Sequence, residues 1–134
     1  MAKILIVEDD ATIVTYLSEL LQSREHVAVA ANSVARALEV LEAEHDFSLV
    51  ILDHHLGEDS GLKLLADLRN SDRHRDLPVI VCSGDTKPAS VKGFLALGIV
   101  GFIMKPFLAH RFVAEIELAL LRGEGRTRAH SAAT

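Results

Sequence analysis

A chain of 134 residues, 49% hydrophobic and 25% charged, has the length of one domain and the apolar content for a real core, which excludes extensive disorder. Its formal net charge of −5 and pI near 5.8 provide no basic footprint for nucleic acid or for an anionic membrane surface. The single cysteine, Cys82, excludes an internal disulfide, and the longest apolar runs are strand-length, well short of a transmembrane span.

In chain order, MAKILIVEDD reaches three acids before a signal-peptide core can form, so a cytoplasmic protein is expected. Within it KILIV (Lys3–Val7) is the first strand candidate, and Asp10 is placed to cap a helix whose Ile13, Leu17, Leu20 and Leu21 share a face. VAVA (Val27–Ala30) follows, then Ser33 as a cap before the stripe Val34, Ala37, Leu38 and Leu41. SLVIL (Ser48–Leu52) precedes a third helix with Ser60 as cap and Leu62, Leu65 and Leu68 as stripe. PVIV (Pro78–Val81) leads to a helix with Pro88 at its first position, Val91, Phe94 and Leu95 inward, and Gly98 at its end; Gly93 weakens it. VGFIM (Val100–Met104) and the stripe Phe112, Ile116, Ala119 and Leu120 complete the fifth pair. Residues 1–122 are thus expected to form one domain, and 123–134, GEGRTRAHSAAT, a flexible tail whose arginines, with Arg122, are solvated. Strands alternating with helices predict an α/β fold, a five-stranded parallel sheet covered on both faces.

In such a sheet, ligands bind beyond the carboxyl ends of the strands. The residues there are Glu8, Asp9 and Asp10 after the first strand, Asp53 after the third, Cys82, Ser83 and Gly84 after the fourth, and Lys105-Pro106 after the fifth. Gathered carboxylates repel one another unless a cation neutralises them, and oxygen donors favour Mg2+ or Mn2+. Beside such an ion Asp53 can attack phosphorus, while Lys105 and the Ser83 hydroxyl hold the transferred phosphoryl oxygens. Each residue also has a plainer reading: a capped turn for Glu8–Asp10, a strand-end residue for Asp53, a turn for Lys105-Pro106, and a serine bonded to its own backbone for Ser83. Their conjunction favours the phosphoryl-accepting site. For His54 and His55 the plainer reading, packing or solvent exposure, is preferred over metal ligation, and Cys82 reads as an inert buried thiol.

Four motifs in order, ILIVED, VILD with a glycine eight residues on (Gly61), PVIVCSG and KPF, make the chain from Lys3 to about Arg122 similar to a receiver domain of the two-component response regulators. The resemblance implies a flavodoxin-like fold with sheet order 2-1-3-4-5. It implies that Glu8 and Asp9 hold Mg2+ with Asp53 and the backbone carbonyl of His55, and that Asp53 is the phosphoacceptor. Ser83, Gly84 and Lys105 would then contact the phosphoryl group, with Ser83 and Phe102 as the switch pair and a cis peptide before Pro106. It further implies a histidine kinase or phosphotransfer protein as donor, an unnamed protein target, and output through the fourth helix, fifth strand and fifth helix, a face that also allows a homodimer. Neither nucleic acid nor a membrane is a direct partner, and the only catalysis is of the chain's own phosphorylation and dephosphorylation.

Five positions depart from the family pattern. Gly57 stands where proline is usual, so its loop is expected to be more mobile; Leu108 replaces a capping polar residue; and His54-His55 and Asp85 flank the positions that set phosphate lifetime in the family. Three further readings fit less well. An Asp-His-His phosphoesterase needs further acidic motifs and a second domain, a haloacid-dehalogenase-type phosphatase needs an acid at position 55, and a flavodoxin-like cofactor binder needs a phosphate loop where EDD would repel phosphate. A pseudo-receiver used only for protein binding, and a receiver cut from a longer hybrid kinase or transcription regulator, are the alternatives; a stand-alone regulator is expected.

Overall fold

Successive side chains along a strand point to opposite faces of the sheet, so an apolar run long enough to be a strand demands cover on both sides. A computed structural model, which describes residues 1–123 in full and the backbone alone of residues 124–133, shows that cover. The elements are β1 (Lys3–Val7), α1 (Ala11–Gln22), β2 (Val27–Ala31), α2 (Val34–Ala43), β3 (Leu49–Asp53), β4 (His55–Leu56), β5 (Asp59–Ser60), α3 (Gly61–Arg69), β6 (Val79–Ser83), α4 (Pro88–Leu97), β7 (Gly101–Met104) and α5 (Ala109–Ala133). The tail expected over 123–134 lies, apart from Gly123, outside the fully described residues.

β2, β1, β3, β6 and β7 form one parallel sheet in that order, which is 2-1-3-4-5 when the strands of this sheet alone are counted. Leu5, Val7, Val50, Leu52, Val79 and Val81 face α2, α3 and α4, whose Ala37, Leu41, Leu64, Leu68 and Phe94 pack on them. Ile4, Ile6, Leu49, Ile51, Ile80 and Cys82 face α1 and α5, through Leu17, Leu21, Phe112 and Ile116. Full burial of each such side chain contributes about 1.5–3 kcal/mol relative to exposure, and the three inner strands are buried almost throughout. β2 differs from the expectation of a strand buried on both faces: it is an edge strand, and Val27 is 44% exposed.

The helix starts follow their capping chemistry. Asp10 Oδ1 accepts hydrogen bonds from the Thr12 and Ile13 amides at 2.9 and 3.3 Å, Ser33 Oγ from Arg36 N at 3.1 Å, and Ser60 Oγ from Leu62 N at 3.1 Å. α4 opens with Pro88 and tolerates Gly93, where a β-carbon would come within 3.3 Å of Leu62 Cδ2; the missing side chain lets α4 lie close on α3. Residues 55–60, around Gly57, close as a hairpin between β4 and β5. Gly57 carries the positive φ of +64° that the hairpin turn needs, and its N–H donates to Asp9 Oδ2 at 2.9 Å. Among the described residues no helix is long and apolar enough to cross a membrane.

Candidate functional site

The strand order reverses direction between β1 and β3, and the carboxyl ends of those two neighbours open the crevice where α/β sheets bind ligands. Register does the positioning. Val7 pairs with Leu52, so Glu8 and Asp53 come next on adjacent strands; Asp53 pairs with Cys82, and Ser83 with Met104, which brings Lys105 to the same rim. The Lys105 amide donates to the Ser83 carbonyl at 2.9 Å, and the Lys105-Pro106 peptide is cis. Gly61 lies so close behind Asp53 that its β-carbon would stand 2.2 Å from the Asp53 carbonyl oxygen.

Glu8, Asp9 and Asp53 each bring a carboxylate oxygen within 4.8 Å of the others. Glu8 is buried, and its Oε2 makes no hydrogen bond, an unsatisfied oxygen beside the Asp53 carboxylate. Lys105 Nζ lies 3.3 Å from Asp53 Oδ1 and 3.7 Å from Glu8 Oε1, so one ammonium serves two acids. Burial and the neighbouring Asp53 carboxylate push Glu8 up to about 8, against the opposing pull of Lys105. Burial would lower the Lys105 ammonium, but the Asp53 and Glu8 carboxylates outweigh it and raise it. An orphaned buried carboxylate oxygen beside two further acids is a donor set that a hard divalent cation fits.

The other predicted residues take definite places around this centre. Ser83 is fully buried, and its Oγ accepts from the Asp85 amide at 2.9 Å and donates to the Asp85 carbonyl at 3.3 Å, the local backbone turn that its residue type allows. Gly84 is exposed with open space about its Cα, Phe102 is half-buried with its ring 6.4 Å from that of Phe94, and His55 is exposed at the start of β4. Cys82 is buried with its thiol pushed up to about 12 by desolvation, consistent with an inert group. His54 has a larger part than the sequence reading allowed. Its Nδ1 lies 3.5 Å from Ser83 Oγ and 3.6 Å from Asp85 Oδ2, and its ring meets Phe94 edge-on at 5.0 Å. Burial, with His55 beside it, lowers its pKa against the opposing carboxylates of Asp85 and Asp53. Only the β3–β6 register, which sets residue 54 beside residue 83, could have revealed this contact.

Comparison with known proteins decides the family. The model of the response regulator receiver domain matches residues 4–117. The chain belongs to that family. This receiver is 30% identical over 103 residues to the two-component response regulator ORR3 of Oryza sativa subsp. indica, covering 77% of the chain and 79% of ORR3. To ORR13 of Oryza sativa subsp. japonica it is 32% identical over 102 residues, covering 75% and 84%. Among solved structures, the receiver domain of a signal transduction histidine kinase from Syntrophus aciditrophicus matches with TM-score 0.81 and 26% identity over 90% of each chain. NtrX from Brucella abortus matches with TM-score 0.86 and 28% identity over 98% of this receiver but 29% of NtrX. The receiver fold agrees with these neighbours, and the sheet order is that of a flavodoxin-like fold.

Proposed function

We propose that this receiver is a phosphoacceptor switch, with Asp53 as the acceptor, working in the cytoplasm. The observation that carries the reading is the Lys105 ammonium 3.3 Å from Asp53 Oδ1, at the edge of a carboxylate cluster that contains an unsatisfied buried oxygen. Glu8, Asp9, Asp53 and the His55 carbonyl would hold a divalent cation, Mg2+ or Mn2+, which when bound would supply positive charge for the phosphoryl oxygens. The Asp53 carboxylate attacks the phosphorus of a phosphohistidine on a histidine kinase or phosphotransfer protein. A P–O bond forms as the P–N bond breaks, and the imidazole leaves. Lys105, freed from part of its pairing with Asp53, and the exposed Gly84 N–H bind the new phosphoryl oxygens.

Ser83 then exchanges its turn with Asp85 for a bond to the phosphoryl group, and Phe102 follows into the space this leaves. The exchange biases the face formed by α4, β7 and α5, through which a protein target or a second copy is engaged. Water later hydrolyses the acyl phosphate and restores the carboxylate. The chemistry ends on the receiver itself, so its role is signalling and not turnover of an external substrate.

The test is intact mass after incubation with Mg2+ and a small-molecule phosphodonor, with Asp53→Asn alongside. A single phosphoryl adduct that needs Mg2+ and is absent from the variant supports the reading. Folded, Mg2+-binding protein that takes up no phosphoryl group from the donor or from phosphohistidine would overturn it in favour of a protein-binding module.

A further inference from the structure

We propose that His54, His55 and Asp85 form a second cation site, suited to a transition ion of the zinc class, on the flank of the Asp53 crevice. One ligand atom from each of the three lies within 4.8 Å of the others, and His54 Nδ1 is 3.6 Å from Asp85 Oδ2. Ligand atoms of a tetrahedral zinc site with metal–nitrogen bonds of 2.0–2.1 Å sit about 3.3 Å apart, so this pair has only a few tenths of an ångström to close.

Two of the three ligands are held in advance. Asp85 Oδ1 accepts from Lys87 N at 3.0 Å and its Oδ2 from Ser90 Oγ at 2.9 Å, which fixes the carboxylate at the start of α4. The His54 ring is wedged edge-on against Phe94, and its side chain is 12% exposed. His55 is the adjustable ligand. Its ring stacks on His54 with centroids 4.2 Å apart and planes 23° from parallel, a geometry in which both lone pairs cannot meet one ion. Being exposed, His55 can turn its ring toward the ion without disturbing the core, and solvent supplies the remaining coordination.

Donor type separates this site from the acidic one, although both start at the end of β3. Two imidazoles and one carboxylate suit Zn2+, Ni2+ or Cu2+, whereas Mg2+ prefers the all-oxygen set of Glu8, Asp9 and Asp53. An ion here would tie the residue after Asp53 to Asp85, the partner that holds the Ser83 hydroxyl in its turn. Zn2+ would thereby keep Ser83 from leaving that turn; this consequence rests on the phosphoacceptor reading, while the binding itself does not.

The experiment is a Zn2+ titration of the initially metal-free full chain against a chromophoric chelator, run without and with a large excess of Mg2+. His55→Ala, Asp85→Asn and Asp9→Asn are compared, each checked for native circular dichroism. The expected result is one equivalent of Zn2+ that Mg2+ does not displace, weakened about 10–100-fold by His55→Ala and by Asp85→Asn and unchanged by Asp9→Asn. Three results overturn the proposal: no binding at micromolar Zn2+; binding that Mg2+ or Asp9→Asn removes, which would place the ion among the acids; or binding indifferent to both His55→Ala and Asp85→Asn, which would place it at other histidines. If Zn2+ binds in the expected pattern while Asp53 accepts no phosphoryl group, the metal site stands and the phosphoacceptor reading falls.

Discussion

Gly61 and Glu8 both constrain Asp53, one by lacking an atom and the other by burying a carboxyl group beside it. A β-carbon at position 61 would meet the Asp53 carbonyl oxygen at 2.2 Å and Leu52 Cγ at 3.2 Å, while one on Gly84 would meet nothing within 4 Å. Gly61→Ala is therefore expected to cost about 1–3 kcal/mol in urea unfolding, by forcing β3 to shift. Gly84→Ala is expected to stay within about 0.5 kcal/mol of the parent chain in the same measurement. For Glu8 the sign follows from linkage. Its folded pKa of about 8 lies above the 4.5 of a free glutamate, so the folded metal-free protein holds an extra proton between those values. That contribution to stability is complete below pH 4.5 and is lost as pH rises through about 8. In chelator-treated protein, Glu8→Gln is expected to flatten this slope and to leave the variant more stable at the alkaline end by on the order of 1–3 kcal/mol. Denaturant midpoints across the pH range, parent minus variant, measure it; parallel curves would refute the assignment.

Elements here are joined at their ends as much as along their faces. The last carbonyls of a helix have no partner within it. Arg69, the final residue of α3, donates Nε to the Leu97 and Gly98 carbonyls where α4 stops, and Nη1 to the His74, Arg75 and Leu77 carbonyls in the approach to β6. One guanidinium thus holds the end of one helix and the loop before a central strand together. Arg69→Ala is expected to cost about 2–3 kcal/mol and to deprotect the α4 end in amide exchange. Arg69→Lys should recover only part of this, because a single ammonium cannot span both sets of carbonyls. Equal stability of Arg69→Lys and the parent chain would contradict the account.

At the scale of the molecule, two hydrophobic layers hold a rigid sheet whose one rim is electrostatically unfinished. Filling that rim should stabilise the whole fold, since a ligand that binds only the native state adds RT ln(1 + [L]/Kd), about 2.7 kcal/mol at one hundred times Kd. Saturating Mg2+ is expected to raise the thermal midpoint of the parent chain and to leave Asp9→Asn nearly unmoved. Asp9 also accepts the Gly57 amide that closes the β4–β5 hairpin, so Mg2+ binding should change amide exchange in residues 55–60 as well.

By itself the sequence determined the five strands of the main sheet and the helices that follow them, because period-two and period-3.6 apolar patterns and local capping chemistry need no distant partner: Asp10, Ser33 and Ser60 each cap the helix they precede. It also determined which residues gather at the rim, since Glu8, Asp53, Ser83 and Lys105 all stand where strands end. Strand limits were less legible. Ser48–Leu52 becomes Leu49–Asp53, and Pro78–Val81 becomes Val79–Ser83, because Asp53 and Ser83 pair through backbone groups with Cys82 and Met104, which no local polarity pattern reports. Only the tertiary structure decided that His54, and not His55, meets Ser83 and Asp85, that the Gly57 loop closes on Asp9, and that Arg69 binds two other segments. Each of these depends on the register or packing of segments far apart in sequence, and a chain read one window at a time carries no record of that distance.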